Sequence, residues 1–301
     1  MQTKTLKNCP YIVSLEELDL NPFLKEDLEP NWRKMFEERL EKTIAYKIVY
    51  KVGKIKVVGF IVLPKTGEGL PCIIHLRGGS RDFGKITEEK LIYQQTFFAS
   101  NGYVVISTQY PGVDGGDGED DWGGSDSMAS IKKLKTILDY IPQADIKRIG
   151  IKGHSRGGTM AYMLLREVKW LKAAVIGGAP TDEFKAGKER EGWRKHQISL
   201  YGKSKEELHK RSAIKWVNEL PKNVPILLVH GSADWRVTAD HSINMSKAMY
   251  EHKIPHRFIL FEGADHGISE HKKENKNQAL NWFNTYLAKD RKLPNVKLHG
   301  E

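Results

Sequence analysis

Residues 149–158 read Ile-Gly-Ile-Lys-Gly-His-Ser-Arg-Gly-Gly, an apolar run that ends in Gly153-His154-Ser155-Arg156-Gly157 and opens onto a helical pattern. A Gly-x-Ser-x-Gly segment between a strand and a helix is the pattern that holds a serine hydroxyl on a strained turn at the end of a sheet. A side chain at either flanking glycine would meet the neighbouring strand or helix. The helix N-terminus beside the serine favours negative charge as it develops. Such a serine could attack a carbonyl, provided a base takes its proton and an acid orients the base.

Both partners are expected after later strands. Residues 226–234, Ile-Leu-Leu-Val-His-Gly-Ser-Ala-Asp, supply an apolar strand with Asp234 in the loop past its end. Residues 258–267, Phe-Ile-Leu-Phe-Glu-Gly-Ala-Asp-His-Gly, supply another with His266 in its loop, the best placed of the chain's 11 histidines. Asp265 and Asp240 compete for the acid role, but Asp265 adjoins the base and Asp240 falls inside a helical pattern. The reading is therefore Ser155 as nucleophile, Asp234 as acid and His266 as base. His154 packs under the turn and is not a second base.

The oxyanion of the tetrahedral intermediate needs two donors. One is the backbone N–H of Arg156. The other is expected from residues 73–80, Ile-Ile-His-Leu-Arg-Gly-Gly-Ser, either as a backbone N–H near Gly78 and Gly79 or as the side chain of Arg77. Trp235, Trp193 and Trp122 are candidates for the substrate pocket wall. The acidic run Asp114, Asp117, Glu119, Asp120 and Asp121 among glycines raises a cation site, but its spacing matches no standard calcium loop and a solvated rim loop is preferred. Neither a metal nor an organic cofactor is required.

The elements that must position these residues follow from periodicity. Residues 44–52 and 55–63, separated by Gly53-Lys54, predict an antiparallel hairpin. Strands are then predicted at 72–76, 103–108, 146–152, 173–177, 226–230 and 257–261. Helical patterns fall between them at 88–100, 126–140, 157–168, 239–252 and 270–288. That alternation predicts an α/β fold, a mainly parallel central sheet with helices on both faces and an N-terminal antiparallel hairpin. Residues 1–45 read as a helical N-terminal extension, 46–290 as the catalytic domain and 291–301 as a tail. Residues 180–225 form an insertion suited to a partial lid.

Composition narrows the function classes. Forty per cent hydrophobic and 29% charged residues over 301 positions describe a globular chain. No apolar run approaches the roughly 18 residues a membrane helix needs, and the N-terminus lacks a signal peptide's apolar core. The net charge of +10 comes from lysines spread along the chain and interleaved with glutamates, so nucleic acid is not expected as a partner. Two cysteines, Cys9 and Cys72, exclude a disulfide framework and suit a cytoplasmic setting. The partner expected is a small-molecule or short-peptide substrate, and a homo-oligomer is compatible with the sequence.

With these residues in place, the chain resembles the catalytic domain of the prolyl oligopeptidase family of serine peptidases, within the α/β-hydrolase superfamily. The resemblance spans roughly residues 47–287. It rests on Arg77-Gly78-Gly79, on residues 110–116 (Tyr-Pro-Gly-Val-Asp-Gly-Gly), on Gly153-His154-Ser155-Arg156-Gly157-Gly158, on Arg211-Ser212-Ala213-Ile214, on residues 230–237 (His-Gly-Ser-Ala-Asp-Trp-Arg-Val) and on residues 263–267 (Gly-Ala-Asp-His-Gly). It implies a peptidase acting on short peptides, with a carboxylesterase or other small-acyl hydrolase as the alternative and a non-catalytic binding protein as the remote one. Two departures stand out. The family often has a tyrosine where this chain has Arg77, and about 45 residues precede the hydrolase region, too few for the family's β-propeller.

Overall fold

The computed structural model describes residues 4–289 and 291–297. Residues 298–301 of the expected tail, the first three of the expected extension, and residue 290 lie outside the described residues. The chain forms two compact units, Met1–Ile149 and Gly150–Glu301.

In the first unit, strands β2 (Thr43–Val52) and β3 (Ile55–Pro64) pair antiparallel through the Gly53-Lys54 turn, with Val52 opposite Ile55 and Gly53 at φ 58°. A two-residue hairpin loop twists this way when its first residue accepts positive φ, as glycine does. Strand β3 pairs antiparallel with β5 (Val104–Thr108), which lies parallel to β4 (Leu70–Leu76). Strand β5 is buried along its whole length, its apolar start (residues 104–106) followed by Ser107 and Thr108, whose hydroxyls bond to Gln95 and Tyr50.

The first 45 residues are not helical throughout. The helix Pro30–Lys42 is as expected, but β1 (Ile12–Leu18) is an edge strand paired antiparallel with β2. Its residues Ser14, Glu16 and Glu17 are exposed, so it lacks the apolar alternation that marks a half-buried strand. The expected helix at 88–100 is a helical run over 88–99 that loosens to a π-turn at Leu91–Gln95.

The acidic glycine-rich segment lies in this unit, and its four aspartates are used within it. Asp114 pairs with Lys47, Asp117 accepts from the Lys56 N–H, Asp120 from the Arg81 and Trp122 N–H groups. Asp121 accepts from the Asp126 and Ser127 N–H groups, capping the helix Ser125–Leu138.

Strand β6 (Ala144–His154) carries the chain into the second unit, where β7 (Leu171–Gly177), β8 (Ile226–Gly231) and β9 (His256–Phe261) pair in parallel. The helices Arg156–Glu167, Asp240–Glu251 and Lys272–Phe283 alternate with these strands. Residues 180–225 hold the helices Glu183–Glu189, Glu191–Tyr201 and Lys205–Lys210. The chain is thus α/β, with a mixed, mostly parallel arrangement of strands, helices and an N-terminal antiparallel hairpin. Among the described residues no helix is long and apolar enough to cross a membrane.

Candidate active site

Ser155 closes β6 and caps the following helix at φ 56° and ψ −126°, a conformation that L-residues avoid. The strain is held from both sides. The Ser155 N–H donates to the Gly177 carbonyl at 2.8 Å, and the Ser155 carbonyl accepts from the Gly158 N–H at 2.8 Å. A Cβ on Gly153 would lie 2.1 Å from the Gly157 carbonyl oxygen, and one on Gly158 would lie 2.6 Å from Ala179 Cβ. The glycines therefore let strand and helix approach closely enough to force the turn.

Asp234 and His266 are brought together by stitching between their loops. The Ser232 N–H donates to the Phe261 carbonyl at 2.8 Å, and the Ala233 N–H to the Ala264 carbonyl at 3.0 Å. In return Ser232 Oγ accepts from the Gly263 N–H at 2.8 Å. A Cβ on Gly231 would lie 2.3 Å from the Ala264 carbonyl oxygen, so this apposition needs glycine. His266 Nδ1 lies 2.7 Å from Asp234 Oδ2, and His266 Nε2 lies 3.0 Å from Ser155 Oγ. A carboxylate can only accept, so Nδ1 carries the imidazole proton and Nε2 is left to accept from the serine hydroxyl.

Asp234 is buried, which by itself pushes its pKa up. Donors outweigh that burial: His230, His266 and the Val237 N–H hold the carboxyl well below the usual carboxylate range. His154 also sits at the site, its ring centroid 5.0 Å from that of His266. Burial, with His266 and Lys152 nearby, pushes its pKa down to about 3. His154 is thus a neutral packing group, and it is Gly177 and Gly178 that make room for it: a Cβ there would lie 2.8 Å and 2.9 Å from its ring.

The rival acids are engaged elsewhere. Asp265 Oδ1 accepts from the Gly267 and Ser269 N–H groups and shapes the base loop. Asp240 pairs with Lys185 from the helix Asp240–Glu251.

The three tryptophans have different settings. Trp122 is buried in the first unit. Trp193 is half-buried and donates its Nε1–H to Glu183 Oε2 at 3.0 Å within the insertion. Trp235, next to Asp234, is 67% exposed, with the Arg190 and Arg236 guanidinium groups 5.3 Å and 5.2 Å from its ring centroid. Arg190 also donates to the Arg236 carbonyl at 2.9 Å, tying the insertion to the acid loop.

Arg156, first residue of its helix, is buried. In the first unit, Arg77 is buried over the Tyr110 ring at 4.7 Å. Its guanidinium donates to the carbonyls of Gly78, Arg81 and Phe83. The side chain therefore shapes its own loop, in which Gly79 stands at φ 74° with no room for a Cβ against the Phe83 carbonyl.

His230 and Gly231 belong to this site although the expected triad gives them no part. The His-Gly pair at the end of an apolar strand, four and three residues before the acid, was the available signal. Among the described residues, no group of three or more His, Cys, Asp or Glu side chains is arranged to hold a metal ion.

The family model described as the prolyl oligopeptidase family matches residues 90–290. The uncharacterized peptidase YtmA of Bacillus subtilis (strain 168) is 30% identical over 202 residues, 65% of this chain and 76% of that protein. The probable dipeptidyl-peptidase 5 of Aspergillus flavus is 21% identical over 81% of this chain but only 35% of its own length. Among solved structures, the Pyrococcus horikoshii acylaminoacyl peptidase superposes with a TM-score of 0.75 at 20% identity, covering 90% of this chain and 46% of that one. A Mycobacterium tuberculosis puromycin-hydrolyzing peptidase gives 0.69 at 20% identity, over 81% and 40%. The chain thus spans most of the first relative and less than half of the others.

Proposed function

Because the chain belongs to the prolyl oligopeptidase family of serine hydrolases, we propose that it is a peptidase of short peptides, acting by acyl transfer through Ser155, His266 and Asp234. The observation that carries this reading is the unbroken line from Asp234 Oδ2 to His266 Nδ1 at 2.7 Å and from His266 Nε2 to Ser155 Oγ at 3.0 Å, ending on a serine at positive φ. His266 takes the hydroxyl proton as Ser155 attacks the scissile carbonyl. Asp234 holds the tautomer and stabilises the imidazolium that forms. The same proton then passes to the leaving amine, and water repeats the sequence on the acyl-enzyme. The backbone N–H of Arg156, at the helix N-terminus beside the serine, is one donor for the developing oxyanion.

Relatives named as dipeptidyl, acylaminoacyl and puromycin-hydrolyzing peptidases support amide cleavage over ester cleavage for this chain. Exposed Trp235, flanked by Arg190 and Arg236, is assigned to the substrate side of the acid loop. Cys9 and Cys72 are both buried and free, which suits a reducing, cytoplasmic setting.

The test is fluorophosphonate labelling with peptide mapping. Modification is expected at Ser155, and His266→Ala should abolish it in folded protein; a label elsewhere overturns the nucleophile. Turnover of short aminoacyl and N-acyl peptide amides should accompany that of p-nitrophenyl esters. Ester cleavage without amide cleavage overturns the peptidase reading.

A further inference from the structure

The end of β8 buries a histidine that the acyl-transfer mechanism does not use. His230 has no exposed surface, and both its ring nitrogens are engaged. Nδ1 lies 2.7 Å from Ser242 Oγ, on the first turn of the helix Asp240–Glu251. Nε2 lies 2.8 Å from the Val237 carbonyl oxygen and 3.2 Å from Asp234 Oδ2. Both groups facing Nε2 can only accept, so Nε2 carries the ring proton, and Nδ1 accepts from the Ser242 hydroxyl.

This arrangement completes the surroundings of the acid. Oδ1 of Asp234 accepts from the Arg236 N–H at 2.8 Å and the Val237 N–H at 3.0 Å. Oδ2 faces His266 Nδ1 at 2.7 Å and His230 Nε2 at 3.2 Å. Each carboxylate oxygen thus has two donors, a full set for its two lone pairs. Val237 serves twice: its N–H binds Oδ1 while its carbonyl shares the His230 proton. With three sides of the carboxylate fixed by its own loop and by β8, the remaining direction on Oδ2 points at His266.

We infer that His230 is a positioning residue for the acid, its Nε2–H holding Asp234 in the orientation and charge state that His266 requires, with Ser242 fixing the tautomer of His230. This rests on the assignment of Ser155, His266 and Asp234 above. The alternative is that His230 merely fills space at the end of β8, and the two roles separate experimentally.

Glutamine and methionine are close in length and volume, but only glutamine can place an N–H near the position of His230 Nε2. In folded protein, checked by circular dichroism, His230→Met should lower kcat roughly ten- to a hundredfold, since an Asp234 carboxylate no longer held by that donor misaligns the imidazole of His266. KM should stay within about twofold, because nothing touching substrate has been removed. The acidic limb of the kcat/KM profile should move upward in pH, because the Asp234 charge is then dispersed over one donor fewer and favours the imidazolium of His266 more. His230→Gln should recover most of both effects. Equal losses in the two variants with an unmoved limb mean a packing role and overturn the inference, as does wild-type kcat in His230→Met.

A measurement on the unaltered protein covers the case in which His230→Met does not fold. Histidine-labelled ¹⁵N NMR should show the proton of His230 on Nε2, and a bare Nε2 overturns the inference. If the wild-type protein fails to label at Ser155, the acyl-transfer reading fails instead. The NMR result still decides whether His230 serves Asp234.

Discussion

Two buried carboxylates in the second unit, one in the acid loop and one in the insertion, are pushed in opposite directions from the ordinary carboxylate range. Asp234 is held well below the usual carboxylate range, whereas burial pushes Glu183 up to about 7. Burial opposes the charged form at both, more completely at Glu183, so the outcome turns on how far donors offset it. Part of that offset lies in how donors are shared between the oxygens. Asp234 has two donors on each oxygen, two of them backbone N–H groups fixed by the turn. Glu183 crowds Trp193 Nε1, Gln197 Nε2 and Tyr201 Oη onto Oε2, while Oε1 is buried with no hydrogen-bond partner among the described residues. A buried carboxylate stays ionised when its donors surround it, and approaches neutrality when they sit on one side.

The severest way to break the comparison is to remove the charge at Asp234. Asp234→Asn keeps the shape and the backbone donors' acceptor, but its amide cannot serve as the anion that orients His266. The expected loss in kcat is on the order of 10⁴-fold, with little change in fold, as for the equivalent exchange in other serine hydrolases. Steady-state kinetics against a peptide amide checks it. A loss below about tenfold would mean that the Asp234 charge is not used.

Much of this site was legible in the sequence. The order serine, aspartate, histidine, each after an apolar strand, located Ser155, Asp234 and His266 because short strands declare themselves by continuous apolar runs. The glycines around Ser155 were readable for the same reason, since only close approach of backbone excuses them. What was not legible was anything set by contacts between loops. Gly231 looks like an ordinary turn glycine until the base loop is seen 2.3 Å from its missing Cβ. Strand β1 is not legible because an edge strand with Ser14, Glu16 and Glu17 facing solvent carries no alternation. Arg77 was open between two roles because sequence cannot tell that the carbonyls of Gly78, Arg81 and Phe83 claim its guanidinium. The burial of Glu183 is not legible either, since a glutamate at a helix start, after Asp182 as cap, reads as surface.

Glu183 offers the next test, on stability. Its folded pKa, about 7, is raised above the ordinary 4.5. Below pH 4.5 the group is protonated in both states and adds no penalty. As pH rises from 4.5 to 7 the unfolded chain ionises while the folded one holds its proton, so the fold loses stability across that window and stays lower above it. Glu183→Gln removes the titration. Its stability relative to wild type should therefore grow between pH 4.5 and 7, reaching on the order of 3 kcal/mol by pH 8. Denaturant melts at pH 4, 6 and 8 read this. A constant difference at all three would mean that Glu183 is as well served as Asp234.

The smallest effect probes the crowded oxygen itself. Trp193→Phe keeps the ring but removes the Nε1–H that donates to Glu183 Oε2 at 3.0 Å. The ionised form accepts that bond more strongly than the neutral acid does, by about 1 kcal/mol, since hydrogen bonds to charged groups are the stronger ones. Losing it should push the Glu183 pKa further above 7 and carry the stability loss to higher pH, while costing less at pH 5, where the acid is neutral. Carbon-detected NMR titration of the glutamate carboxyls reads the midpoint directly. A downward shift would mean that Trp193 was excluding water that then solvates the charge, and burial would replace donor distribution as the difference between the two sites.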